Sequence, residues 1–364
     1  MDRGTLRPAG SAVVGVNASA LLAAEYVLPL RWSNDMAFDD LDRYLRTLSD
    51  WIDITVVDGS PPPVFEAHSR AWSGLARHCP PDPAPPGNGK VAGVLTGLRV
   101  ARHDHVVIAD DDVRYDLAAL TQVLALLSSA EIVRPQNYFS DYPWHAKWDA
   151  ARTLVNRAFG SDYPGTLAVR RSALPTGYRQ DVLFENLELI RTVEAGGGRQ
   201  CHADDLLVAR RPPTVRHFLR QRVRQAYDDL AQPVRLAMEL ALLPAVLLAR
   251  PFRTRGVGVA LCEALTVVIL AAVGRGRGRG ARHFPAVTPL WAPVWLAERS
   301  VCAWLAVALV PLGGVRYGGI RLRSAASSRR RLSRRSSPGT EQPIGRRSHH
   351  GRRPHRGRLA GRTA

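Results

Sequence analysis

Up to Val133, apolar residues alternate between two spacings. Val27 to Arg31, Ile52 to Val57, Val106 to Ala109 and Ile132–Val133 are short, mostly apolar runs that predict strands. Between them the apolar positions fall three and four apart. Leu41, Tyr44, Leu45 and Leu48 form one such set, Val91, Val94, Leu95, Leu98 and Ala101 another, and Leu117, Leu120, Leu124 and Leu127 a third. A further helix is predicted from about Phe65 to His78, and Pro80 to Gly89 reads as a loop. Strands alternating with helices predict an α/β fold with a doubly wound, mostly parallel sheet.

From Arg134 to Arg211 the pattern is less regular. Tyr138, Phe139, Tyr142, Trp144 and Trp148 predict an aromatic core cluster. Trp144 and Trp148, four apart, would share a helix face and could also stack on a sugar ring. From Val234 the chain turns apolar. Leu236 to Ala249 contains Glu239 and Pro244 and would be about 21 Å long as a helix, too short to span a bilayer. It reads as an interfacial helix. Val257 to Val273 and Trp291 to Leu312 are long enough to span, although Glu263 and Glu298 count against both. Two spans would return the chain to its starting side and place the basic tail in the cytosol, whereas Arg275, Arg277, Arg279 and Arg282 would then lie outside.

Composition narrows the choice of partners. The hydrophobic fraction is 46%, enough for a real core, and the formal net charge is +18. Fifteen Arg and one Glu lie from Arg316 onward, so most of the excess charge belongs to the tail. Ser324 to Ala364 lacks apolar periodicity and is expected to be disordered. Cys79, Cys201, Cys262 and Cys302 form no CxxC pair, which fits free thiols in a reducing compartment. Ser11 to Ala24 is mildly apolar but is broken by Asn17 and Ser19, and reads as an extension rather than a signal peptide.

The chemistry concentrates where strand Val106–Ala109 runs into Asp110, Asp111 and Asp112. Ligands bind at strand ends in open α/β sheets, and carboxylates there can hold a hard divalent cation that bridges to phosphates. The plainer alternative is a solvated acidic turn before the next helix. Lys90, in Gly87-Asn-Gly-Lys-Val-Ala-Gly93, can meet the same phosphates or can be a surface lysine at a helix start. It is not a Walker lysine, since no Ser or Thr follows it.

Pro29-Leu-Arg31, Val56-Val-Asp-Gly-Ser60, the Lys90 stretch and Asp110-Asp-Asp112 fall in an order and spacing that resemble family 2 glycosyltransferases of the GT-A fold, over about Tyr26 to Tyr227. The resemblance implies that Asp58 meets a nucleotide base and that Asp110 and Asp112 form the DXD metal pair for Mg²⁺ or Mn²⁺. It also implies that Arg31 and Lys90 line the nucleotide-sugar site. Phe184-Glu-Asn-Leu-Glu-Leu189 stands where the family has its general-base Asp, but that position is Asn186, leaving Glu185, Glu188 or Asp181. Gln221-Arg-Val-Arg-Gln225 resembles the QxxRW motif with Gln225 in place of Trp, and implies diphosphate contacts from Gln221 and Arg224. His217 to Arg224 could equally be a basic helix lying on anionic lipid.

The expected organisation is an extension over 1–25, a transferase domain over 26–232, interfacial and transmembrane helices over 233–322, and an Arg-rich tail over 323–364. The expected activity is inverting transfer from a nucleotide-sugar to a lipid or polysaccharide acceptor at the cytosolic face of the cell membrane. The alternatives are a non-catalytic membrane scaffold on the same fold, or a nucleic-acid binder acting through its tail, although no specific nucleic acid is expected as a partner.

Overall fold

A computed structural model describes residues 21–33, 37–160, 162–249 and 253–336. The chain begins β1 (Leu22–Leu30), α1 (Phe38–Ser49), β2 (Ile52–Asp58), α2 (Pro62–Ala71), β3 (Arg77–Cys79), α3 (Gly89–Val100), β4 (His105–Ala109), β5 (Val113–Arg114) and α4 (Leu117–Leu126). It continues with β6 (Ile132–Phe139), α5 (Trp144–Ala158), β7 (Thr166–Arg170), α6 (Glu185–Ala195), β8 (Gln200–Arg210) and α7 (Val215–Asp228). The last elements are α8 (Pro233–Leu248), α9 (Arg253–Gly276), α10 (Gly280–His283), α11 (Ala292–Leu309), β9 (Val315–Tyr317), β10 (Ile320–Leu322) and α12 (Arg329–Ser336).

One sheet runs β3-β2-β1-β4-β7-β6-β8-β5. β1 pairs parallel with β2 and β4, β2 with β3, and β6 with β8, while β7 and β5 run against their neighbours. The mostly parallel sheet expected from the sequence is therefore present. Residues of β4 alternate between its faces: Val107 and Ala109 pack with Leu41, Leu45, Trp72 and Leu120, whereas Val106 and Ile108 pack with Val91, Val94, Leu189 and Ile190. α3 lies close on β1 because Gly93 and Gly97 present no side chain there. A Cβ on Gly93 would sit 2.9 Å from Pro29 Cβ, and one on Gly97 would collide with Val27. This contact brings the α3 N-terminus to the carboxyl ends of β1 and β4.

Several expectations need correction. The helix predicted to reach His78 ends at Ala71, after which Gly74 turns with φ +75° and Arg77–Cys79 joins the β2 edge. The strand at Ile132 continues to Phe139 through Pro135, at a shift of register against β8 where the ladder tolerates a missing N–H. β1 starts at Leu22, inside the expected extension, whose residues 1–20 lie outside those described. The tail is not disordered throughout. Ser324 O and Ala325 O accept from Leu183 N (3.0 Å) and Phe184 N (2.8 Å), Ser327 N donates to Glu188, and Leu332 of α12 is buried. Residues 337–364, most of the Arg-rich tail, lie outside the described residues.

α9 and α11 are long and apolar enough to cross a membrane. Both are also docked on the sheet domain. Val267 and Ala271 of α9 pack against Ala150, Ala151 and Leu154 of α5, and a side chain on Gly274 would strike the Leu154 carbonyl. Arg299 of α11 binds Asp229 at 3.0 Å, and Glu298 lies 3.6 Å from Arg222 of α7. The aromatic residues Tyr138, Phe139, Tyr142 and Trp148 belong to the same cluster as α5 and α9, while Trp144 is exposed.

Candidate active site

β4 delivers Asp110 to the edge of a cleft, and Asp110 N donates to Gly165 O at 2.9 Å. Gly165 lets the Asp110 carboxylate lie close against the backbone, since a Cβ there would sit 2.8 Å from Asp110 Oδ2 and the carboxylate would have to shift. The chain then turns through Asp111 and Asp112 into β5, whose antiparallel pairing with β8 sets Val113 opposite Arg210. Arg210 thereby reaches the aspartates: Nε lies 2.7 Å from Asp112 Oδ2 and Nη2 lies 3.7 Å from Asp110 Oδ2. Trp32 Nε1 donates to Asp111 Oδ2 at 2.5 Å.

Lys90 joins this group from α3, capped by Asn88, whose side chain accepts from Lys90 N. Its ammonium lies 2.5 Å from Asp110 Oδ1 and 2.7 Å from Glu185 Oε1, the first residue of α6. Burial disfavours the Lys90 charge, but the two carboxylates outweigh it and raise its pKa. Asp112 is pushed up to about 6, chiefly by burial and then, against Arg210, by Asp110 and Asp111. Its Oδ1 is buried and has no hydrogen-bond partner among the described residues.

The structure thus brings together four of the expected residues: Lys90, Asp110, Asp112 and Glu185. Arg31 sits on the rim, exposed, with Nη1 3.9 Å from where a Cβ on Gly89 would be. Arg224 is linked more indirectly. Its guanidinium stacks 5.0 Å from the ring centroid of Tyr317, whose pKa is raised by burial and then by Glu185. Gln221, one turn earlier on α7, binds His217 instead.

Three expected residues take other roles. Asp58 does not face the cleft: its carboxylate is wholly buried, accepting from Ser60 N at 2.8 Å and lying 2.6 Å from His68 Nδ1 and 3.1 Å from His78 Nε2. Those three donor atoms lie within 4.8 Å of one another, a set able to take an ion. The separations of 2.6 and 3.1 Å are hydrogen-bond lengths, and these contacts tie the β2 end to α2 and β3. Glu188 is fully buried, with Oε2 accepting from Ser327 N, and holds the tail rather than a substrate. Asp181 pairs with Arg179 on the surface, its side chain 57% exposed. Asn186 donates its side-chain amide to Pro164 O at 2.8 Å.

Sequence reasoning missed Trp32, Arg210, Asp228 and Tyr317. Arg210 follows the short apolar run Leu206-Leu-Val-Ala209, and that run was the available signal although His202, Asp204 and Asp205 obscure the strand before it. Asp228 lies at the C-terminal end of α7, where a helix disfavours a carboxylate. Burial, then Glu185 and Asp229, raise its pKa well above the usual range.

No protein-family model and no curated protein matches the chain. Among solved structures, it is similar to the mannosyltransferase PcManGT from Pyrobaculum calidifontis, solved with GDP-Man and Mn²⁺, at 17% identity over 80% of this chain and 89% of that one (TM-score 0.47). It is also similar to mannosyl-3-phosphoglycerate synthase from Rubrobacter xylanophilus, at 19% identity over 55% and 70% (TM-score 0.37). A third is glucosyl-3-phosphoglycerate synthase from Mycobacterium tuberculosis with Mn²⁺ and UDP, at 17% over 55% and 76% (TM-score 0.39). Likeness this distant carries nothing about substrates or residue roles.

Proposed function

We propose that the chain is an inverting glycosyltransferase that moves a sugar from a nucleotide-sugar to a lipid or polysaccharide acceptor at the cytosolic face of a membrane. The observation that supports this reading is the convergence of Lys90, Asp110, Asp112, Glu185 and Arg210 at one set of strand ends. Asp110 and Asp112 would hold a divalent cation, Mg²⁺ or Mn²⁺. The orphaned Asp112 Oδ1 and the reluctance of that carboxyl to ionise fit a site completed by a cation. When bound, the ion supplies charge neutralisation for the leaving diphosphate.

The remaining chemistry belongs to the chain. Lys90 bridges Asp110 and Glu185 and can turn its ammonium toward a diphosphate, which frees Glu185 to accept a proton. Glu185 deprotonates the acceptor hydroxyl, whose oxygen attacks the anomeric carbon as the bond to the diphosphate breaks. Arg31 and Arg224 flank this path as further cations. The catalytic unit is the sheet domain to about residue 232, together with the segment at Ser324–Ala325 that binds it.

A scaffold reading has one observation in its favour: Asp110 and Glu185 are already neutralised by basic partners within the protein. Nucleotide-sugar turnover separates the two. Wild-type protein with Mn²⁺ should consume one donor from a panel, and Asp112→Asn should abolish turnover while the fold melts normally. Glu185→Gln should cost on the order of a hundredfold in rate with donor binding little changed. Donor binding without consumption by any of the three would establish the scaffold instead.

A further inference from the structure

A cavity of about 1990 Å³ lies between the sheet domain and α8–α9, apart from the Lys90–Asp110 cluster. It borders Gln200 at the start of β8, whereas Arg210, at the other end of that strand, serves the cluster. Ten residues of strand separate them, about 30 Å. The wall along α8 and α9 is mostly apolar, with Met238, Leu242, Val259 and Leu270, and is interrupted by Glu263 and by Glu239, which pairs with Arg235 at 3.0 Å. From Gly258 to Leu270 that wall is about 18 Å long, the reach of an extended acyl chain. A cavity this large with such a wall is costly to fill with water alone.

The other end is basic. Arg191 of α6, Arg199 just before β8 and Arg329 at the start of α12 line it together with Glu194, and Glu131 lies 3.8 Å from Arg199 Nε. Glu194 pairs with Arg329 at 3.1 Å. Arg191 instead gives its terminal nitrogens to the carbonyls of Ser327 and Ala231, which carry no neutralising charge. Burial disfavours its charged form and outweighs Tyr163, Glu188 and Glu194, which favour it, while Arg329 adds to the effect of burial. An anion at this end would give Arg191 a direct counter-charge. On the far side of α9, Val257, Leu261, Leu265, Ile269 and Val273 form an exposed apolar stripe, so the cavity lies beneath a helix suited to a membrane surface.

We propose that this cavity binds one membrane lipid with an anionic headgroup, its acyl chain along α8–α9 and its headgroup between Arg191, Arg199 and Arg329. The lipid is a bound component and not the sugar acceptor. The inference rests on the membrane association proposed above but not on the transfer reaction.

The test uses the full chain in mild detergent, titrated with phosphatidylglycerol or phosphatidylcholine and read by native mass spectrometry. Phosphatidylglycerol should be retained with about tenfold preference. Leu242→Trp with Val259→Trp, which fills the apolar end, should abolish retention of both lipids. Arg199→Glu with Arg329→Glu should remove the preference while leaving the apolar end open. Equal retention of the two lipids, or retention unchanged by the tryptophans, would overturn the proposal. Vesicle flotation of the same proteins separates the two readings. Flotation without retained lipid defeats the cavity proposal, whereas retained lipid without flotation defeats membrane association and leaves the cavity site standing.

Discussion

At the scale of single residues, the matched motifs and the observed roles part company at Asp58. Burial alone would raise its carboxyl, but bonds from His78, Ser60 and His68 outweigh burial and hold it at about 2. A depressed carboxyl stabilises the fold while ionised. That contribution is complete above about pH 4 and is lost as pH falls toward about 2, and its size is about 2 kcal/mol. Urea unfolding at a series of pH values should show Asp58→Asn less stable near neutrality but less sensitive across that acid window. Parallel curves for the two proteins would place the acid sensitivity elsewhere. Asn186 is a similar case. A carboxylate in its place would face the Pro164 carbonyl as a second acceptor, so Asn186→Asp should lose about 1–3 kcal/mol in a melt and gain no turnover.

At the scale of elements, legibility followed periodicity. α1, α3 and α4, with β1, β2 and β4, are short local patterns, and the sequence displays them. β7 and β8 were not legible because their pairing is with distant strands, and Gln200–Arg210 carries His202, Asp204 and Asp205 among its apolar residues. In the site, Lys90, Asp110, Asp112 and Glu185 were legible because each ends or begins a periodic element. Tyr317 was not, since it arrives from a hairpin 132 residues after Glu185 in sequence. The same distance hid the role of the tail. Its backbone at Ser324–Ala325 pairs with Leu183 and Phe184, the two residues that lead into Glu185, and Tyr227 donates to Arg323 O. Truncation after residue 336 should therefore leave melting and turnover unchanged. Truncation after Arg323 should lower the melting temperature and cut turnover, because the start of α6 loses its anchor. Equal behaviour of the two truncations would mean that this anchor is dispensable.

At the scale of the molecule, the question is how α8, α9 and α11 meet a membrane. A helix that crosses a bilayer must be surrounded there by lipid or by similarly apolar protein. One face of the second half of α9 is instead covered by α5, which carries Lys147, Asp149 and Arg152, and α11 is bound through Glu298 and Arg299 to α7 and Asp229. Charged elements of the sheet domain would have to enter the bilayer with them. Lying flat with one face in lipid removes that cost. It also removes the topological conflict of Arg275 and Arg277, whose guanidiniums bind the carbonyls of Phe284, Ala281 and Arg157 beside the sheet domain. Leu261 and Leu265 are both more than 60% exposed on the outer face of α9, so replacing them with Asp leaves the packed face intact. Leu261→Asp with Leu265→Asp should leave the melting temperature within a degree or two of wild type, on the order expected for surface positions. The doubly substituted protein should no longer sediment with neutral vesicles. Anionic vesicles at low salt should still recruit it through the basic tail, and added salt should release it, because screened charge then carries the whole attachment. Attachment to neutral vesicles that survives both substitutions would mean that α9 is embedded more deeply than its contacts with α5 allow.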